Sequence, residues 1–387
     1  MNKNLTKLLQ CYRAQCADQT PKPCWLGGKS ELEKGINLHG FLLSETGLGE
    51  SARLLYHALS TQELKIAACN RLLEGRQNEE SFVELVSAKA PYGISLTVDG
   101  LTGFKRLRHQ ICKRKYNVAY PFWELDSIPP KYVDYLSNYD SIWAPSGFIL
   151  EILQRHGLSN VYLVKHPIDL PSQEPRFFEP SGPLRILFHF DFDSFPARKN
   201  PEAAIYAFKK AFPGNENVRL TVKTRGQRDL GRRLWLAQQA ADDSRIEVVD
   251  RLMTRNEVNA MMTEHDVFLS LHRSEGLGLG CAEALAAGKV VVATDYGGST
   301  EFINDETGYP VQWSRIDVGP DDYILPENAT WAEPSIDHAA EVLRSIHDDP
   351  LQARRKAEQG FRQLVKNHSY EAVGSRMVEI LQEQGVM

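Results

Sequence analysis

The sequence predicts an α/β protein of two domains, each built on a doubly wound parallel β-sheet. Short β-branched runs alternate with helical patterns along most of the 387 residues, which is typical of parallel strands covered by helices on both faces. The alternation stops once, at residues 171–183, where four prolines disfavour a helix or a central strand and therefore predict a linker. This length suits two domains of ordinary size.

The same patterns place the domain boundaries and the strands. The first domain is predicted to span residues 1–170 and the second residues 184–369, with a last helix over 370–387. Ligands bind beyond the carboxyl ends of the strands in such sheets, so we expect the two domains to face a cleft at those ends. The predicted strands are 36–42, 64–68, 94–98, 118–122, 141–144, 161–164, 184–190, 219–223, 246–249, 267–271 and 290–294.

The composition excludes several classes of protein. With 42% hydrophobic and 25% charged residues the chain is predicted to be globular, and a net charge of -5 argues against nucleic acid as the main partner. There is no apolar run long enough to cross a bilayer and no recognisable secretory signal, so we expect a cytoplasmic protein. The cysteines lack metal-site spacing and are expected to be reduced; they are Cys11, Cys16, Cys24, Cys69, Cys112 and Cys281.

The most informative segment is a glycine-rich helix start between two carboxylates. Gly276, Gly278 and Gly280 would leave the first N–H groups of a helix free and let an anion approach the backbone closely. Glu275 precedes this helix and Glu283 lies one turn inside it. A nucleotide-sugar would satisfy all these groups, whereas the structural alternative is a helix that caps itself with Glu275 and exposes Glu283.

This segment resembles a known enzyme family. Two glutamates separated by seven residues, a small-residue helix, a β-branched strand and the Gly297-Gly298 loop are similar to the GT-B retaining glycosyltransferases of family 4, the glycosyl transferases group 1. The resemblance implies two Rossmann-like domains, the first on the acceptor side and the second binding the nucleotide-sugar, with the last helix packed back on the first domain.

The resemblance also implies roles for the residues of the segment. The amides of Gly276, Leu277, Gly278 and Leu279 would bind the diphosphate. Glu283 would hold the ribose and Glu275 the transferred sugar. The reaction would occur on one face of that sugar, with the departing diphosphate helping to deprotonate the acceptor hydroxyl.

The family places an Arg and a Lys about six residues apart on the leaving diphosphate. Lys199 matches the Lys, but the position of the Arg falls near Asp193, and we predict that Arg198 replaces it. Lys223, which ends the next predicted strand, is a further candidate for donor binding. Residues 191–193 have the Asp-x-Asp spacing of a metal pair but occupy the place of the cationic clamp, so we expect a metal-independent reaction without a bound cofactor.

A second glycine loop follows the first predicted strand. Gly47 and Gly49, with Ser44 and Thr46, are expected to contact the phosphates of the donor or the acceptor. The loop also matches a dinucleotide-binding fingerprint, but the second strand ends in Cys69-Asn70 without the acidic residue that a dehydrogenase places on the ribose.

Three further residues are candidates for binding sugar. Trp123 and Glu124 follow a predicted strand, and an aromatic ring next to a carboxylate suits sugar recognition, although aromatic residues more often lie in the core. His272 lies close to Glu275 on the same predicted loop.

Residues 104–115 carry six cations and no acid on what is predicted to be one amphipathic helix. Such a helix could contact an anionic membrane surface on its inner face, which would suit a lipid-linked acceptor, or it could simply expose a solvated face.

The sequence thus predicts a retaining hexosyltransferase that moves a mannose-, rhamnose- or glucose-type sugar from a nucleoside diphosphate to a saccharide or lipid-linked saccharide, in surface polysaccharide synthesis. The alternatives are a catalytically silent nucleotide-sugar-binding subunit, or an epimerase or hydrolase with the same fold.

Overall fold

In the computed structural model the chain forms two compact units. The structure describes residues 32–73, 76, 79–179 and 182–387. Unit 1 contains the chain up to Trp123, Ile128–Ile168 and Asn367–Met387, and unit 2 contains Glu124–Ser127 and Asp169–Lys366. Outside the described residues lie Cys11, Cys16, Cys24 and residues 180 and 181 of the predicted linker.

Each unit is built on one six-stranded parallel sheet. The strands of unit 1 are β1 Glu33–Gly40, β2 Ile66–Asn70, β3 Tyr92–Gly100, β4 Tyr116–Phe122, β5 Ser141–Ala144 and β6 Val161–Leu163, in the order β2-β1-β3-β4-β5-β6. Those of unit 2 are β7 Leu184–His189, β8 Val218–Thr224, β9 Ile246–Asp250, β10 Val267–Ser270, β11 Val290–Thr294 and β12 Tyr309–Val311, in the order β12-β11-β10-β7-β8-β9. In each sheet the strand order proceeds outward on both sides of an inner strand, β1 in unit 1 and β7 in unit 2, and this arrangement defines a doubly wound fold.

Helices connect the strands. In the described part of the chain they are α1 Gly47–Ser60, α2 Phe104–Leu107, α3 Pro130–Leu136, α4 Gly147–Arg155, α5 Pro196–Lys199, α6 Pro201–Ala211, α7 Leu230–Asp242, α8 Arg255–Glu264, α9 Leu279–Ala286, α10 Ile336–Asp348, α11 Pro350–His368 and α12 Tyr370–Glu383, with short 3-10 helices at Leu101–Gly103 and Gly297–Glu301. None of the described helices is both long and apolar enough to cross a membrane.

The core of unit 1 contains close contacts between α12 and α1. Val373, Met377 and Ile380 of α12 share one buried cluster with Leu55 and Leu59 of α1. The two helices approach so closely at Gly374 that a Cβ atom there would lie 2.3 Å from the carbonyl oxygen of Ala58. The last helix is therefore an integral part of the hydrophobic core of unit 1.

The predicted α/β class and its two doubly wound sheets are confirmed. All predicted strands are present, with ends displaced by a few residues. Three strands were not predicted: β12, and an antiparallel hairpin of β13 Trp313–Asp317 and β14 Thr330–Pro334.

The predicted amphipathic helix over 104–115 is wrong. Only Phe104–Leu107 is α-helical, and turns follow it. No side chain caps the start of this helix, and like charges such as Lys105 and Arg108 one turn apart disfavour its extension. Lys115 is drawn toward the protein instead, where its Nζ donates to the carbonyl oxygen of Ala90 at 2.6 Å.

Replacing Gly374 tests the packing of α12 on α1. We expect Gly374→Ala to lower the free energy of unfolding by about 1–3 kcal/mol, the usual cost of an overpacked contact. Urea denaturation measures this change. The matched control is Gly231→Ala on α7, where the nearest atom to the new Cβ is 3.8 Å away and stability should not fall. Equal stability of the two variants would contradict the close contact.

Candidate functional site

A buried carboxylate paired with two cations lies at the centre of the site in unit 2. Nη1 of Arg198 is 3.0 Å from Oε2 of Glu275, and Nζ of Lys199 pairs with Oε1. Arg198 and Glu275 are only 6% and 8% exposed, so water screens this interaction weakly. The three residues predicted to be catalytic are thus in direct contact.

The charges of this cluster stabilise one another. Burial alone would raise the pKa of Glu275, but Arg198 and Lys199 outweigh it and hold that pKa well below its usual range. Burial opposes the charge of Arg198, yet Glu275 and Glu124 raise its pKa above the ordinary value. For Lys199 burial is the larger effect and lowers the pKa. Glu275 is therefore a carboxylate at neutral pH, suited to accept hydrogen bonds and not to donate a proton.

The short helix α5 presents both cations. It is flanked by two residues in the left-handed region, Phe195 with φ 54° and Asn200 with φ 53°. The side chain of Asn200 then caps α6 by accepting a hydrogen bond from the amide of Ala203. Arg198 is held further by Ser194, whose Oγ accepts from Nη2 at 3.0 Å, whereas its buried Nε makes no hydrogen bond within the described part of the chain.

The glycine-rich loop runs directly against the backbone of the Gly297–Glu301 helix. The amide of Gly298 donates to the carbonyl oxygen of Glu275 at 2.6 Å, and a Cβ atom on Gly298 would lie 2.1 Å from the carbonyl oxygen of Gly276. Helix α9 begins at Leu279 and not at Gly276, because Gly278 adopts a left-handed conformation with φ 80° as its N-cap. Gly276 and Leu277 therefore belong to the preceding loop.

Glu283, the other glutamate of the motif, lies on α9 and has a different partner. Its Oε1 is 2.7 Å from Nη1 of Arg255 on α8. The two glutamates are thus held by different cations on either side of the glycine loop.

His272 ties the loop to its surroundings. Its Nδ1 lies 2.9 Å from Oγ of Ser270, and its Nε2 lies 3.1 Å from both the carbonyl oxygen of Tyr296 and Oγ of Ser299. Burial lowers its pKa, although nearby Glu275 opposes that shift. Both ring nitrogens have protein partners, so His272 orients the loop that carries Glu275.

Glu124 joins this cluster through a residue that the sequence did not reveal. Its Oε2 accepts a hydrogen bond from the hydroxyl of Tyr323, and its Oε1 lies 3.9 Å from Nη2 of Arg198. Tyr323 is on the segment between β13 and β14. Its sequence neighbours carry no motif, and only the β-rich patterns of the two hairpin strands could have indicated the element that places it.

The Asp-x-Asp pair supports a neighbouring turn. Oδ2 of Asp191 pairs with Nε of Arg225 at 2.7 Å, and Oδ1 of Asp193 accepts from the amide of Gln227 at 3.2 Å. Lys223 precedes this turn on β8, and burial and Arg225 lower its pKa. In the described ranges no group of three or more His, Cys, Asp or Glu residues is arranged to hold a metal ion.

The remaining predicted site residues belong to unit 1. The side chain of Thr46 caps α1 by accepting from the amide of Gly49 at 3.3 Å and lies 3.2 Å from Oγ of Ser44. A Cβ atom on Gly49 would lie 2.2 Å from the carbonyl oxygen of Ser44, whereas one on Gly47 would meet no atom within 4 Å. Trp123 is buried at the end of β4. Of these positions, Gly47 offers open space beside a helix N-terminus.

Comparison with known proteins agrees with this architecture. Residues 185–317, which include Arg198, Lys199, Glu275 and Glu283, match the family model described as Glycosyl transferases group 1. No curated protein matches the chain at a significant level.

Solved structures resemble the chain at low sequence identity. S. aureus TarM, in complex with fondaparinux, alpha-GlcNAc-glycerol and UDP, is 13% identical with a TM-score of 0.56 over 74% of this chain and 55% of TarM. The chain therefore matches only about half of TarM. Sucrose-phosphate synthase from Thermosynechococcus elongatus is 17% identical with a TM-score of 0.63 over 91% of this chain and 99% of that one. Anabaena HepE, in complex with UDP-glucose, is 12% identical with a TM-score of 0.63 over 91% and 100%.

These likenesses confirm the predicted GT-B fold of two Rossmann-like domains, and the family match is confined to residues 185–317 of unit 2.

Removing the charge of Glu275 tests the buried cluster. Glu275→Gln leaves Arg198 and Lys199 without their main counter-charge, so we expect the free energy of unfolding to fall by about 3–5 kcal/mol, as for other broken buried pairs. The control is Asp337→Asn, which removes an exposed partner of Lys210 and should cost about 0–1 kcal/mol.

The effect of Glu275→Gln should depend on pH in one direction. Because the folded protein lowers the pKa of Glu275, the carboxylate contributes its full stability above the unfolded pKa of about 4.3 and loses it as the pH falls toward the folded value. Urea denaturation from pH 7 to pH 3 should show a constant difference between wild type and variant that shrinks only in acid. A difference that shrinks as the pH rises would contradict the pairing.

Proposed function

We propose that this protein is a retaining glycosyltransferase that transfers a hexose from a nucleoside-diphosphate sugar to a saccharide or lipid-linked saccharide acceptor, in the cytoplasm and as part of surface polysaccharide synthesis. The observation that carries the proposal is the contact of Glu275 with Arg198 and Lys199 beside the glycine loop. Two cations, the backbone amides of a helix N-terminus and a carboxylate are groups that suit a diphosphate linked to a sugar.

In the proposed mechanism, Arg198 and Lys199 exchange Glu275 for a diphosphate as their partner. Glu275 is the internal partner of Arg198 and Lys199, and a diphosphate competes for the same two cations. When they turn to the phosphates, the carboxylate of Glu275 is released to accept hydrogen bonds from hydroxyls of the transferred sugar. The cations then stabilise the charge that develops on the leaving diphosphate. The buried Nε of Arg198, which makes no hydrogen bond in the described part of the chain, supports its turn toward a ligand.

The donor is proposed to be a uridine-diphosphate hexose. The printed descriptions of S. aureus TarM and Anabaena HepE name UDP and UDP-glucose as their ligands, and both proteins share the fold. Glu283 would give up its contact with Arg255 and would bind the ribose instead. Trp123, Glu124, Ser44, Thr46 and the open position at Gly47 are the candidates on the acceptor side.

Catalysis is proposed to need no metal ion. Asp191 and Asp193, which have the spacing of a metal pair, are already engaged by Arg225 and by the amide of Gln227. The positive charge on the leaving group would come from Arg198 and Lys199, and retention from reaction on one face of the sugar.

Binding of nucleoside diphosphates tests the donor site. In isothermal titration with UDP, GDP, ADP and dTDP, we expect UDP to bind best and Lys199→Ala to weaken its binding by about 10- to 100-fold, the worth of a charge-assisted hydrogen bond. The control is Lys210→Ala, which removes an exposed lysine that pairs with Asp337 and should leave binding unchanged. If none of the four nucleotides bound, the proposed function would be wrong.

Turnover separates the remaining possibilities. The configuration of the anomeric carbon in the product, read by NMR, should match that of the donor. An inverted product would exclude retention, release of free sugar alone would indicate a hydrolase, and binding of UDP-sugars without turnover on any acceptor would indicate a silent subunit.

A further inference from the structure

One titratable side chain at the carboxyl edge of the second sheet has no role in the proposed mechanism. His189 is the last residue of β7, and its ring stands edge-on to Phe268, with centroids 5.0 Å apart at 81°. Sequence patterns do not single it out, because it belongs to no motif. Neither ring nitrogen of His189 makes a hydrogen bond within the ranges that the structure describes.

The imidazole of His189 lies against the first turn of α9. A Cβ atom on Gly280, the second residue of that helix, would lie 2.5 Å from Nε2 of His189. Gly280 therefore makes room for the histidine. Since the first turn of a helix carries the N–H groups that have no partner inside the helix, Nε2 is placed beside the amides that suit a phosphate.

Charged groups from four elements surround this ring. Lys199 of α5, Lys223 of β8, Glu275 of the glycine loop and Arg255 of α8 all act on it. Burial, followed by Lys199 and Lys223, lowers the pKa of His189 to about 3, so the ring is neutral and has one donor and one acceptor nitrogen. The same lysines would attract an anion to this place.

We infer that His189 is a further donor-binding residue, which donates a hydrogen bond to a diphosphate oxygen next to Lys199 and the amides of α9. The inference rests on the proposed function.

A double-mutant cycle with His189→Ala and Gly280→Ala tests this contact. With UDP-glucose as the probe, whose diphosphate does not titrate near neutral pH, we expect His189→Ala to weaken binding at least 10-fold. Gly280→Ala should weaken it similarly, because the methyl group displaces the imidazole. The double variant should bind no worse than His189→Ala alone, since the ring that the methyl group displaces is then absent.

A second readout distinguishes ligand contact from a structural role. The readout is rescue by a conservative variant, because the amide of His189→Gln keeps a hydrogen-bond donor at this position. His189→Gln should bind UDP-glucose more tightly than His189→Ala, whereas a ring that only fills space would not be replaced by a glutamine.

The outcomes separate the two proposals. If wild type bound neither UDP nor UDP-glucose, the proposed function and this inference would both fall. If wild type bound while His189→Ala kept the wild-type affinity, only the role of His189 would be wrong.

Discussion

The pairing of Glu275 with Arg198 and Lys199 is the interaction on which the candidate site depends. Burying a carboxylate to this degree is unfavourable unless cations and hydrogen bonds compensate for its lost hydration. The chain provides both cations on one short helix, α5, which is entered and left through left-handed residues. Such conformations are unfavourable at a phenylalanine and persist only where the surrounding structure holds them, which is common at functional sites.

The glycines of unit 2 allow the close backbone contacts around the same carboxylate. Gly298 lets the Gly297–Glu301 helix touch the backbone of Gly276, and its amide binds the carbonyl oxygen of Glu275. Gly278 turns the chain into α9. Backbone packing therefore requires some of these glycines, and the proposed approach of an anion requires others.

Much of the fold could be predicted because parallel strands, buried on both faces, form continuous β-branched runs such as Val290–Thr294. The position of Glu275 relative to Lys199 followed from a motif and from the rule that strand ends meet at one edge of the sheet. Tyr323 and His189 could not be predicted, because their importance comes from contacts across 199 and 91 residues of sequence, with Glu124 and Gly280.

The helix expected over 104–115 does not form over that length, for a related reason. Charge spacing was compatible with a helix, but Phe104 and Leu107 are the only buried apolar residues of this segment, and the Nζ of Lys115 binds a backbone carbonyl before β4 begins. Periodicity alone does not reveal such competing partners, and most of the stability of a short helix comes from its tertiary packing.

A crystal structure with bound UDP would test the central claim most directly, because it would show which groups are the partners of the two cations. We expect diphosphate oxygens within hydrogen-bond distance of Nζ of Lys199 and the guanidinium of Arg198, and we expect Glu275 to have lost its contact with Lys199. A complex in which Glu275 kept both cations while the phosphates bound elsewhere would contradict it.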